Sequence, residues 1–136
     1  MQAQVAAENL HDFEGVIAAF HLHHPRYEVI PFATGADGAD AVRVLLQALT
    51  SSFPNLYTEI FATHHAEASV IVEGQLVGTH MGLWLDLPPT DRVINVPCVA
   101  VFVFDEDRLL IKKLYFDTGT LKRDLTSRRS TGLGKV

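Results

Sequence analysis

GTHMGLWLDLPPTDR (residues 78–92), NVPCVAVFVF (95–104) and LLIKKLYFDTGTL (109–121) decide the fold. Together they read as a long antiparallel hairpin, entered at His80 and left at Asp117. The middle segment is apolar and rich in β-branched residues, which suits a strand. Turn residues stand at Pro88-Pro89-Thr90-Asp91 and at Asp105-Glu106-Asp107. Connections this short favour an antiparallel meander over parallel crossovers. Just upstream, YTEIFAT (57–63) and EASVIVEGQLVGTH (67–80) are strand-like as well, with further turn residues at Glu73-Gly74. Gly74, Gly78 and Pro97 permit long strands to bend.

The chain before this sheet has a different rhythm. In DFEGVIAAF (12–20), Phe13, Val16, Ile17 and Phe20 repeat at i, i+3, i+4 and i+7, one face of a helix. Asn9 or Asp12 can cap it, and Pro25 stops its continuation. RYEVIP (26–31) alternates as a short strand, and ATGADG (33–38) is a loop. Val42, Leu45, Leu46 and Leu49 mark a second amphipathic helix, with Asp40 in its first turn and an end before Pro54. Leu121 and Leu125 suggest a short closing helix. Helices first and strands afterwards predict the α+β class, with two or three helices covering one face of a curved antiparallel sheet. The expected shape is a cone with an apolar interior, able to take a small ligand. Residues 1–125 are expected to form one domain, and 126–136 a disordered tail.

Composition bounds the function. At 136 residues, 48% apolar and 20% charged, the chain can bury a core without disulfide or metal. No apolar run is long enough to span a bilayer, and the start lacks the pattern of a signal peptide. A cytoplasmic location is therefore expected, with no membrane partner. The net charge of −5 disfavours nucleic acid. The single cysteine, Cys98, lies in an apolar strand and reads as a small hydrophobe. The histidines of HLHH (21–24) and His64-His65 lack metal-ligand spacing, so no metal is expected. There is no phosphate loop and no GxSxG elbow. No cofactor is expected.

Two residues are candidates for proton transfer. With period two, Ile111, Tyr115 and Asp117 share a strand face. If that face is concave, burial raises the Asp117 pKa into a range useful for acid–base work. The alternative is that Asp117 caps the helix beginning near Thr118. His80, at the end of a strand, can hydrogen-bond a carbonyl or enolate oxygen, or is simply a surface or loop histidine. Trp84 walls a pocket or anchors the loop.

The segments FPNLYTEI (53–60), GTHMGLWLDLPPT (78–90), VPCVAVFVF (96–104) and LYFDTGTLKRDL (114–125), in that order, resemble the SnoaL-like polyketide cyclase (ester cyclase) family of the nuclear transport factor 2 superfamily. The resemblance implies a cone-shaped α+β fold, often a homodimer packed through the sheet. It implies cofactor-free intramolecular aldol condensation, with Asp117 matching the acid/base position and His80 the histidine of the GTHxG segment. On this reading Asp117 and His80 are catalytic, His80 or Tyr115 stabilises developing negative charge, and Trp84, Tyr115, Phe102, Ile111 and Tyr27 bind a small apolar carbonyl compound. Epoxide opening by a two-carboxylate and arginine network, and ligand binding without turnover, are the alternatives. The chain departs from the family pattern at Asp91, where PPTG has Gly, at Asp124-Leu125-Thr126, where QLG is usual, and in a first helix that looks short.

Overall fold

A computed structural model describes residues 1–84 and 86–126. Six strands form one sheet in the order β2-β1-β6-β5-β4-β3. They are β1 (Arg26–Val29), β2 (Thr34–Asp37), β3 (Tyr57–His65), β4 (Ser69–Thr79), β5 (Val93–Asp105) and β6 (Arg108–Phe116). The helices are α1 (Gln2–Asn9), α2 (Phe13–Ala18), α3 (Ala39–Ser52) and α4 (Thr118–Thr126). The expected meander is the run β3–β6, antiparallel throughout. One pairing departs from it, because β1 lies parallel to β6.

Two local expectations are corrected in the sheet. The predicted loop 33–38 contains β2, paired in register with β1 from Arg26↔Asp37 to Val29↔Thr34. The two strands reverse through a 3₁₀ turn at Ile30–Phe32, with Ala33 at φ 51°. Glu73-Gly74 is no turn but the middle of β4, and the chain reverses instead between β3 and β4, where Ala66 N–H bonds to Ser69 O at 2.8 Å. Gly74 is needed there for another reason: a Cβ would run into the Glu59 carbonyl oxygen, beside the β3 irregularity at Ile60/Ala62. α1 carries no clear apolar period and is set by tertiary contacts. Of the expected tail 126–136, Thr126 is instead the last residue of α4, and 127–136 lie outside the described residues.

α2 and α3 behave as their sequences predict. Asp12 caps α2, accepting from Gly15 N–H at 3.0 Å. Asn9, the other candidate cap, instead works as an extra strand residue. Its Oδ1 accepts from Thr58 N–H at 2.8 Å, and its Nδ2 donates to Thr58 O at 3.0 Å. α3 buries Val42 and Leu46 on the sheet, each worth about 1.5–3 kcal/mol of burial.

Two apolar clusters fill the inner face. The larger joins α1, α2 and α3 to Tyr27, Val29, Val72, Cys98, Ala100, Phe102 and Leu114. The smaller gathers Phe53, Ile94, Val96, Leu121 and Leu125 near α4. Among the described residues, no helix is long and apolar enough to cross a membrane.

Candidate functional site

Strand register shows which residues face the helices. Tyr27, Lys112, Phe102 and Val70 stand opposite one another across β1, β6, β5 and β4. Tyr27, Lys112 and Phe102 are 0%, 3% and 0% exposed, so this row points inward. Tyr115, Val99 and Glu73 form another row, three residues further along β6. With Tyr115 at 41% exposed, that row points outward. The predicted set is therefore split between the faces. Ile111, Tyr115 and Asp117 do belong together, as strand parity requires, but on the outer wall. Tyr27 and Phe102 lie inside, and Trp84 and His80 in the connection from β4 to β5.

The expected desolvation of Asp117 is corrected. Its carboxylate is exposed and caps α4. Oδ2 accepts from Thr120 Oγ1 at 2.8 Å, and Oδ1 accepts from Gly119 N–H at 2.9 Å and Thr120 N–H at 3.3 Å. The Thr120 hydroxyl and amide, aided by Gly119, hold the acid below its ordinary value. That is the reverse of the shift expected for an acid buried in an apolar hollow. An open outer hollow of about 450 Å³ lies beside it, walled by Phe61, Glu73, Pro97, Val99 and Tyr115. Glu73 is tied to His64 at 2.5 Å. Among the described residues, no arginine lines this hollow, so the two-carboxylate and arginine arrangement is not assembled there.

His80 is no surface histidine, being 0% exposed. Its Nδ1 pairs with Thr90 Oγ1 at 3.0 Å, and its ring packs on Phe53 at 5.4 Å. Among the described residues, its Nε2 is the one buried side-chain nitrogen or oxygen without a partner. Backbone bonds from His80 N–H to Arg92 O and from Asp91 N–H to His80 O, both 2.9 Å, close the base of the loop. Asp91 sits at φ 57°. Left-handed backbone suits Gly best, and Asp is among the side chains that tolerate it. The loop also docks on the end of α3, where Met81 and Gly82 N–H both bond to Ser52 O. Any side chain at Gly82 would strike the Ser51 carbonyl.

The interior has a polar centre that the sequence pattern does not predict. Lys112 Nζ donates to Glu8 Oε1 at 2.9 Å and to Gln4 Oε1 at 3.2 Å. Tyr27 OH donates to Glu8 Oε2 at 2.8 Å, and Gln4 Nε2 donates to Glu8 Oε1 at 2.7 Å. The ammonium lies 5.0 Å from the Tyr27 ring centre and 5.3 Å from that of Phe102, within cation–π range. Burial by itself would raise the Glu8 acid, but Lys112, Tyr27 and Gln4 outweigh it and hold it below its ordinary value. Burial, with the Glu8 charge beside it, pushes the Tyr27 phenol well up. Burial also pushes the Cys98 thiol up to about 11, so it is no ready nucleophile. Beside Glu8 lies a cavity of about 30 Å³, reached by Asn9, His11, Leu46, Leu56 and Leu114. The short first helix covers this interior, with Val5 and Ala7 in the larger core cluster. The sequence signal for this centre was a lysine at an inward position of an apolar strand, together with glutamate four residues after glutamine in α1.

Among the described residues, no three His, Cys, Asp or Glu side chains converge as a metal site would require. The sequence model described as SnoaL-like polyketide cyclase matches residues 1–125. A search of curated proteins finds no match. Solved structures resemble the chain throughout. One, described as a SnoaL-like polyketide cyclase from Shewanella denitrificans OS-217, is 18% identical, with 93% of this chain and 94% of that chain covered and a TM-score of 0.81. A Catenulispora acidiphila protein with a ketosteroid isomerase-like fold is 14% identical, with 91% and 89% covered and a TM-score of 0.76. An M. tuberculosis LEH-like epoxide hydrolase is 20% identical, with 91% and 84% covered and a TM-score of 0.69. At these identities the likeness is one of fold.

Proposed function

We propose a catalytic role on one premise, that the chain belongs to the SnoaL-like polyketide cyclase family. The reaction is cofactor-independent proton transfer alpha to a carbonyl in a small, mostly apolar compound, of the kind that closes a ring by aldol condensation. The observation carrying this reading is the Glu8 carboxylate, kept ionised inside an apolar cone by Tyr27, Lys112 and Gln4. Glu8 takes the proton, and the Lys112 ammonium or the Tyr27 hydroxyl receives the developing oxyanion. Neither His80 nor Asp117 shares a hydrogen bond with this cluster.

A cavity of about 30 Å³ has room for water rather than substrate. Substrate entry therefore requires α1 to yield. A helix of eight residues is marginal without its tertiary contacts, and its join to α2 passes through His11 at φ 59°. The small closed interior also favours one rival, a binding module without turnover.

The test is turnover of polyketide methyl esters and β-keto compounds by Glu8→Gln and Asp117→Asn. Loss of at least a hundredfold in Glu8→Gln, with Asp117→Asn near wild type, is expected. The opposite pattern would return the proton transfer to Asp117, and no turnover in the wild-type protein would favour the binding module. We also propose a homodimer joined through the outer face, where Phe61, Val93 and Tyr115 are exposed. Light scattering at micromolar concentration that gives only monomer mass would reject it.

A further inference from the structure

A second cavity lies against the smaller core cluster and shares no lining residue with the first. It is a groove of about 340 Å³ between Phe32, the connection bearing Trp84 and Leu87, and one side of α4 presenting Leu121, Lys122 and Leu125. That volume falls in the range of small-ligand sites, which begins at about 300 Å³.

The walls are already in place. Trp84 packs on Phe32 at 5.5 Å and on Phe53 at 6.0 Å. Trp84 and Leu87 exchange both backbone hydrogen bonds, at 3.0 and 2.9 Å. α4 is fixed at its start by the Asp117 cap and further along by Asp124, whose Oδ2 accepts from Asn95 N–H at 2.9 Å. Its inward residues Leu121 and Leu125 are 5% and 2% exposed.

Charge at the rim selects the occupant. Among the described residues lining the groove, Lys122 is the only charged one, and no carboxylate faces it. Thr118 adds a hydroxyl, whereas the Thr126 hydroxyl proton is committed to Lys122 O at 2.7 Å. An apolar floor with one cation at its edge matches a molecule with a hydrocarbon body and one anionic head.

We propose that this groove binds a small apolar monocarboxylate, its body against Trp84 and its carboxylate at Lys122. The site goes beyond the interior Glu8–Lys112 centre, and it stands or falls independently of the reaction assigned there.

Trp84 is the only tryptophan in the chain, so its fluorescence reports directly on the groove. The full chain is titrated with sodium octanoate, 1-octanol and octylammonium chloride. Octanoate should give a saturable change at lower concentration than octanol, and octylammonium should bind weakest. Lys122→Met should weaken octanoate about two- to fivefold, the factor of an exposed ion pair, and leave octanol unchanged. Lys122→Glu should reverse the order of octanoate and octylammonium. Both substitutions alter an exposed side chain, and circular dichroism checks that they fold. Equal binding of the three probes, no saturable change with octanoate, or octanoate binding indifferent to Lys122 would overturn the proposal. So would a Trp84 signal that follows protein concentration alone, which would assign the groove to a second copy.

Discussion

Glu8 and Asp117 are both carboxylates held below their ordinary pKa, but by different means. Asp117 is surrounded by water and gains hydrogen bonds from the first turn of its own helix, all within three residues. Glu8 is largely withdrawn from water, at 17% side-chain exposure, and depends on partners far along the chain. Burial works against its charge, and Lys112, 104 residues away, offsets that cost. The same direction of shift thus describes a local cap in one case and a tertiary assembly in the other. A strand-end aspartate is easy to notice, but water-poor surroundings, not the residue type, give an acid unusual chemistry.

The largest expected effect breaks the interior pair. Lys112→Met leaves a buried carboxylate without its cation and should cost about 3–5 kcal/mol in urea unfolding. Adding Glu8→Gln should restore much of that loss, because the double variant leaves no unpaired charge. A loss under about 1 kcal/mol in the single variant would show that water reaches Glu8 freely. The second effect concerns acid. The folded pKa of Glu8 is depressed, so its contribution is present above the unfolded pKa and disappears as pH falls through the folded one. The stability gap between wild type and Glu8→Gln should therefore be widest near pH 7 and close below the ordinary carboxylate range. A gap that widens on acidification would contradict the ionised pair. The smallest effect belongs to Asp117. Asp117→Asn should lower stability less than Lys112→Met, with faster amide exchange confined to α4. Its acid dependence has the same sign as that of Glu8, since its pKa is also depressed. Exchange spreading into β5 and β6 would show that the cap holds more than its own helix.

The candidate site was only partly legible. Tyr27 is the one predicted residue hydrogen-bonded within the interior cluster. Trp84 does line a cavity, though one distant in kind from the polar centre. Phe102 was expected to wall a ligand pocket, but it is core beside the Lys112 ammonium. Tyr115 and Ile111 were grouped correctly with Asp117, because strand parity is local. The whole group lies on the outer face, because parity cannot say which side the helices cover. Gln4, Glu8 and Lys112 carry no signal one by one, since each alone is an ordinary surface residue type.

By itself the sequence determined α2, α3 and the four-strand meander, while Asp117 stood open between cap and acid. Each follows from periodicity, turn chemistry or steric limits acting over a few neighbouring residues. Only the tertiary structure decided which sheet face is covered, that α1 closes the cone, and that Glu8 meets Lys112 and Tyr27. Those outcomes depend on how distant segments exclude water together, and no short window of sequence contains that information.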